Sequence, residues 1–206
     1  MVVTVLLAVF VFLPVVAHRG CGGKASRINC VSNLKQIGLA LRMWANEHGE
    51  KFPMTLSATN AGGGTLDFSV NGEVWRHFQI LSNELNTPKV LACPEDKRTK
   101  VTDWNQITNN AHLSYFVGLD ADGTNPQSIL SGDRNLKSAA PLTNGVMFLR
   151  AGDQLEWTKE LHNKVGNFGL GDGSVQQMNS PTAANKQLEA ALQSTGQPVH
   201  RLALPK

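Results

Sequence analysis

The stretch LHNKVGNFGLGDGSV sets an imidazole (His162), a carboxylate (Asp172) and a hydroxyl (Ser174) close together, the three groups from which hydrolases assemble a nucleophile. Such a triad is defined by geometry. Here no strained nucleophile turn and no recognisable oxyanion hole accompanies it. A simpler reading is that Asp172 caps a tight turn and Gly173 supplies a positive φ angle. His162 would then pair with loop carbonyls or with Asp172 itself, and no catalytic residue is expected.

Cysteines at 21, 30 and 93 are the other reactive groups. No Cys-x-x-Cys or Cys/His spacing announces zinc or haem. With an apolar targeting segment in front, a disulfide is permitted, and the expected pair is Cys30–Cys93, with Cys21 left over near a membrane. The alternative is two separate buried thiols. A third candidate is GLDADGTNPQSILSGDRN, where Asp120, Asp122, Asn125 and Asp133 could offer oxygens to calcium. Its spacing is not that of an EF-hand loop, and Asp, Asn and Gly are also ordinary turn formers. Trp44, Trp75, Trp104 and Trp157 could form a glycan-binding or partner-binding face, but only Trp44 lies on a periodic stripe.

Positioning these groups falls to short elements. In KASRINCVSNLKQIGLALRMWANEHGEKFP, apolar residues Val31, Leu34, Ile37, Leu41 and Trp44 recur at three- and four-residue steps. This predicts a helix with a docking stripe of Leu34, Ile37, Leu41 and Trp44, stopped at Gly49 and Pro53. SATNAGGGTLDFSVNGE reads as an exposed loop and Glu73–Leu85 as a short helix. KVLACP, HLSYFVGL, QSILSGD, GVMFLRAG and QLEW read as strands. GNFGLGDGSVQQM reads as a hairpin turning at Gly171-Asp172-Gly173. Residues 182–194 read as a surface helix, and the chain from Gln197 onward as a loose tail. The predicted divisions are an apolar anchor over 1–24, an amphipathic helix over 25–50, a head over 51–197 and a tail over 198–206.

Charge separates front from body. The chain has 19 Lys and Arg, five of which precede the first acidic residue, Glu47; the other 14 face 16 acidic residues. A nucleic-acid binder concentrates its cations on the folded body, so nucleic acid is not an expected partner. At the front, Val2–Ala17 is an apolar run broken by Thr4 and Pro14. As a helix it would extend roughly 24 Å at about 1.5 Å per residue, a little short of a full span of about 20 residues. A secretion signal would need a basic n-region before the run. A lipoprotein signal would need small apolar residues before Cys21, where AHRGC places His18 and Arg19. An apolar run leading into an amphipathic helix suggests one long rod instead.

CVSNLKQIGLALRMWANEHGEKFP resembles the segment that follows the hydrophobic spine in prepilin-like, type II secretion pseudopilin-like proteins, and Pro14 falls where that spine carries its proline. The likeness continues through HFQILSNELNTPKVLACPED, LSYFVGLDADGTNPQSILSGDRN and HNKVGNFGLGDGSVQQM. The last fits that family's signature of His162, nine residues, then Asp172-Gly173. The family's precursors open with a basic leader and a Gly-Phe-Thr-Leu-Ile-Glu-like cleavage motif; neither occurs here, so either an upstream start codon supplies the leader or this is a truncated or degenerate copy.

The resemblance implies an α+β protein whose long N-terminal helix, half hydrophobic spine and half amphipathic, packs on a small antiparallel-sheet head. It also implies a non-enzymatic subunit of a type II secretion or type IV pilus-like assembly. That subunit would be held in the inner membrane, with its head in the periplasm or envelope and other pilin-like subunits as partners. Some pseudopilins bind calcium in a head loop, which keeps Asp120, Asp122 and Asp133 in view as calcium ligands. The alternative is a monomeric, anchored envelope protein whose head binds glycan or calcium.

Overall fold

The computed structural model describes residues 22–59 and 63–206. The apolar run Val2–Ala17, Pro14 and Cys21 lie outside the described residues. What is described is an α+β fold: a seven-stranded antiparallel sheet with helices on both faces, and a separate two-stranded ribbon.

Helix α1 runs Gly22–Glu47. Its stripe is buried: Leu34 and Ile37 are at 0% exposure, and Leu41 and Trp44 are nearly so. Gly49 and Glu50 take left-handed φ angles of 67° and 62° and end the rod, and the His48 ring stacks on Trp44 at 3.6 Å. Among the described residues no helix is long and apolar enough to cross a membrane. A short helix, α2 (Val74–Gln79), follows where one was expected.

The strands are β1 (Tyr115–Gly118), β2 (Ile129–Asp133), β3 (Leu136–Ser138), β4 (Leu142–Thr143), β5 (Val146–Leu149), β6 (Leu155–Trp157), β7 (Gly166–Leu170), β8 (Val175–Met178) and β9 (His200–Ala203). Helix α3 (Pro181–Thr195) lies between β8 and β9. It is capped by the Ser180 side chain, which accepts from Ala183 N, and ends at left-handed Gly196. The sheet order is β4-β5-β9-β1-β2-β7-β8, with β3 and β6 forming the ribbon.

Alternation along the strands builds two cores, because successive side chains point to opposite faces. Tyr115, Val117, Leu130 and Ala203 join the α1 stripe on one side. Phe116, Ile129, Phe168 and Leu202 join Ala184, Leu188, Ala191 and Leu192 of α3 on the other. Every residue of β1, β2 and β7 is therefore buried.

Three expectations need correction. The sheet is not small: seven strands with a core on each face form the centre of the protein. KVLACP is no strand, because Pro88–Leu91 is a 3-10 turn capped by Thr87, whose side chain accepts from Lys89 N. Pro88 at the first helical position, behind a capping threonine, sets that turn, and a four-residue apolar run has no period that could show it. The residues from 198 onward are not a loose tail. His200–Ala203 forms β9, inserted between β5 and β1.

A buried histidine away from the sheet gives a pH prediction. His77 is 1% exposed, with Nδ1 2.7 Å from Thr65 Oγ1, and burial pushes its pKa down to about 4. The unfolded side chain titrates near its ordinary value of about 6.5. Between those values the unfolded chain holds more protons, so stability falls as pH is lowered. His77 should contribute a loss of about 2 kcal/mol between about pH 7 and about pH 5. Urea titrations of the parent and of His77→Gln across that range should diverge by this amount; parallel curves would refute the assignment.

Candidate functional site

Cys30 of α1 and Cys93, which follows the 3-10 turn, form a disulfide with Cα atoms 5.4 Å apart. Both cysteines are fully buried. The bond fastens the helix to the head across 63 residues of sequence.

His162 lies against this bond, its Nε2 3.5 Å from Cys93 Sγ. Its backbone explains how it gets there. His162, Asn163 and Lys164 have φ angles of 51°, 49° and 68°, three successive non-glycine residues in the left-handed region. Each costs of order 1 kcal/mol or more and persists only when its surroundings enforce it. Asn135 does so from within, donating Nδ2–H to the carbonyls of Thr158 and Leu161 at 2.9 Å each. From outside, Glu95 Oε2 accepts the His162 backbone N–H at 3.1 Å.

The imidazole is sandwiched between carboxylates. Nδ1 stands 3.1 Å from Glu95 Oε2, and Nε2 stands 3.6 Å from Asp133 Oδ2. Burial lowers the His162 pKa, with the Glu95 charge opposing it. Nδ1 makes no hydrogen bond at this geometry; the negative charge of Glu95 beside it favours the proton on Nδ1, leaving the Nε2 lone pair on the side of the sulfur. Asp133, at the end of β2, is fully buried. Burial raises its carboxyl to about 7, against the hydrogen bonds from Asn167; the Asn167 side-chain amide donates to Oδ2 at 2.7 Å. The other oxygen, Oδ1, is buried with no hydrogen-bond partner among the described residues.

Asp172 and His162 do not meet. Asp172 Oδ1 accepts the Ser174 backbone N–H at 2.8 Å, Gly173 takes φ +83°, and Gly173 N donates to Leu170 O. The Asp therefore caps the β7–β8 turn, as its residue type suggested. The turn itself presses on α1: a Cβ on Gly38 would lie 3.3 Å from Gly173 Cα. His162 thus lies against the disulfide that Cys30 shares with Cys93, and Gly173 lies against Gly38, so the His-x9-Asp-Gly stretch meets the helix near both of its own ends. At about 1.5 Å per residue these points are roughly 12 Å apart along the rod. No serine nucleophile and base are brought together in this stretch.

The three carboxylates considered for calcium do not converge. Asp120 is held by Arg201, which donates Nε–H at 3.0 Å. Asp122 accepts from the backbone and hydroxyl of Thr124. Asp133 faces His162 in the core. Their oxygens are used by separate partners because the loop carries the first two outward while β2 carries the third inward. Among the described residues, the group of Cys, His and acidic side chains whose ligand atoms cluster is Cys30, Cys93 and His162. Nor do the tryptophans share a face, since Trp44 and Trp157 are buried in different cores.

The sequence reading missed Glu95 and Asp133 as neighbours of His162. It also passed over the outward side of α1, where Ile28, Leu39 and Met43 are 62%, 60% and 46% exposed. At about 100° per residue these three fall within one narrow sector, opposite the docking stripe.

Comparison of the chain with family models, with curated proteins and with solved structures gave no match.

Proposed function

We propose that this chain is a non-enzymatic, pilin-like subunit of a type II secretion or type IV pilus-like envelope assembly. Its N-terminal helix sits in the inner membrane, its head faces the periplasm or envelope, and its partners are other pilin-like subunits. The observation that carries the reading is the two-sidedness of α1. One face is fastened to the sheet by the buried stripe and the disulfide, while the other offers Ile28, Leu39 and Met43 to neighbours. Scattered exposed apolar residues need no explanation, but three aligned on a rod that is locked to its head suit lateral packing of rods. The disulfide suits an oxidising compartment. The residue likeness to prepilin-like proteins, from Cys30 to the His-x9-Asp-Gly signature, points the same way.

The mechanism is mechanical. Apolar packing between sister helices replaces contact with lipid tails, so moving a subunit from bilayer to fibre exchanges one apolar environment for another. The test is to express the full chain in a Gram-negative envelope with a photo-crosslinking residue at position 39 or, as a control, at exposed Glu189. Adducts at 39, absent at 189, that contain a second copy or another pilin-like subunit in the membrane fraction are the expected result. Equal yields at both positions, or a monomeric chain outside the membrane fraction, would end the proposal.

A further inference from the structure

Three metal-ligand side chains, Cys30, Cys93 and His162, cluster under α1, two of them joined as a disulfide. We propose that, once the Cys30–Cys93 bond is reduced, Cys30 Sγ, Cys93 Sγ, His162 Nε2 and an Asp133 carboxylate oxygen bind zinc(II) in a tetrahedral site, so that this chain exchanges a disulfide for a metal. The inference does not depend on the assembly reading above.

Four observations carry it. The ligand atoms of Cys30, Cys93 and His162 all lie within 4.8 Å of one another, and all three residues are buried. Tetrahedral zinc with Zn–S of about 2.3 Å and Zn–N or Zn–O of about 2.0 Å sets a sulfur-to-nitrogen edge near 3.5 Å and a nitrogen-to-oxygen edge near 3.3 Å. The separations here are 3.5 Å from His162 Nε2 to Cys93 Sγ and 3.6 Å from His162 Nε2 to Asp133 Oδ2. The sulfur–sulfur edge must open, and the Asp133 carboxylate, which lies outside the cluster of ligand atoms within 4.8 Å, must close on the sulfurs.

Next, a carboxylate stands beside the far nitrogen of the imidazole, although the two are not in hydrogen-bond geometry while the sulfurs are joined. Zinc-bound histidines usually give their other N–H to a carboxylate, which fixes the tautomer. Glu95 Oε2 stands 3.1 Å from Nδ1. Asp133 supplies the third observation: a fully buried carboxylate whose Oδ2, the oxygen facing His162, is held by Asn167, while its Oδ1 is unpartnered in a place where an unpaired polar atom is costly. Last, the left-handed run at 162–164 holds the ring on this spot at the expense of backbone strain.

The chemistry balances with a dithiol reductant. Two electrons and two protons pass to the protein, the Cys30–Cys93 bond breaks, and the reductant forms its own disulfide. Zinc(II) then displaces the two thiol protons to solvent, while the neutral imidazole gives its Nε2 lone pair. A disulfide oxidant then takes two electrons from the thiolates by thiol–disulfide exchange, leaving as a dithiol, which restores the Cys30–Cys93 bond and releases zinc(II). Both sulfurs are fully buried, so each direction requires α1 to open locally from the head.

The experiment uses the full chain with Cys21→Ser, so that Cys30 and Cys93 supply the thiolates. The protein is unfolded with a phosphine reductant, refolded without oxygen, and titrated with cobalt(II) as a spectroscopic stand-in for zinc. The expected result is thiolate-to-cobalt charge-transfer absorption and intense tetrahedral d–d bands that saturate at one equivalent and vanish on adding zinc. The oxidised chain should show neither. If the reduced chain does not refold unaided, zinc should restore its folded circular dichroism. Glu95→Gln should keep the bands while weakening affinity about 10- to 100-fold, and His162→Ala should abolish one-equivalent binding. Absence of the bands in the reduced parent, bands of equal strength in the oxidised chain, or unchanged titration in His162→Ala would each overturn the site.

Discussion

A chain ending at Gln197 is expected not to fold. The nine residues removed hold β9, which pairs with β5 through four residues from Val146↔Ala203 to Leu149↔His200 and with β1 through Val117↔Ala203 and Gly118↔Leu202. Their loss would leave two unpaired edges facing each other across an empty lane in the middle of the sheet. Leu202 and Ala203 are at 0% exposure and belong to opposite cores, so both cores lose a wall. Other ties would go too: Arg98 donates to Pro205 O at 2.8 Å, and Leu204 N donates to Gly145 O at 2.8 Å. Burial of one leucine alone is worth about 2 kcal/mol. Two lost ladders and a second core come on top of that, against a typical total stability of about 5–15 kcal/mol. Circular dichroism during heating should show no cooperative transition for the truncated chain. Leu202→Ala, which keeps the strand, should cost about 2–5 kcal/mol, and removal of exposed Lys206 should cost nothing measurable. A sharp melt from the chain ending at Gln197 would contradict the central placement of β9.

The second large effect is the disulfide. Cys30 and Cys93 are 63 residues apart, and the chain-entropy account of closing a loop of that size gives about 4 kcal/mol of stabilisation through the unfolded state. Guanidinium unfolding of the oxidised chain and of the metal-free reduced chain should differ by about this amount, with a steeper loss for Cys30→Ser, which places a hydroxyl where a buried sulfur was. Reduction should act most at α1, since the bond and the buried stripe together hold it down; amide exchange over residues 30–45 should accelerate before that of β1 and β2. An unfolding midpoint indifferent to reductant would show that the stripe alone carries the docking.

Both predictions bear on how a rod is held to a head. The His-x9-Asp-Gly signature adds a third attachment, because its histidine sits beneath the disulfide and its glycine abuts Gly38. A bulky side chain at position 38 would meet the backbone of the turn, which accounts for glycine in the middle of a long helix despite its cost of about 1 kcal/mol there.

The sequence by itself determined what local chemistry and periodicity can carry. The three- and four-residue spacing from Leu34 to Trp44 made α1 amphipathic, Gly49 and Pro53 ended it, and Asp172-Gly173 made a turn whose neighbours alternate as a hairpin. The pairing of Cys30 with Cys93 was also within reach, since one candidate lay on the rod and the other on the head. Only the tertiary structure decided the rest. A four-residue strand such as β9 has too few residues to show a period, and its place depends on partners more than 50 residues away. Asp133, read as a loop ligand, turns inward because β2 lies under α1, where both faces of the sheet are buried. The meeting of Cys30, Cys93, Glu95, Asp133 and His162 has no signature along the chain. Its members come from a helix, a turn, a strand and a strained loop, and only the folding of those elements onto one another gathers them around His162.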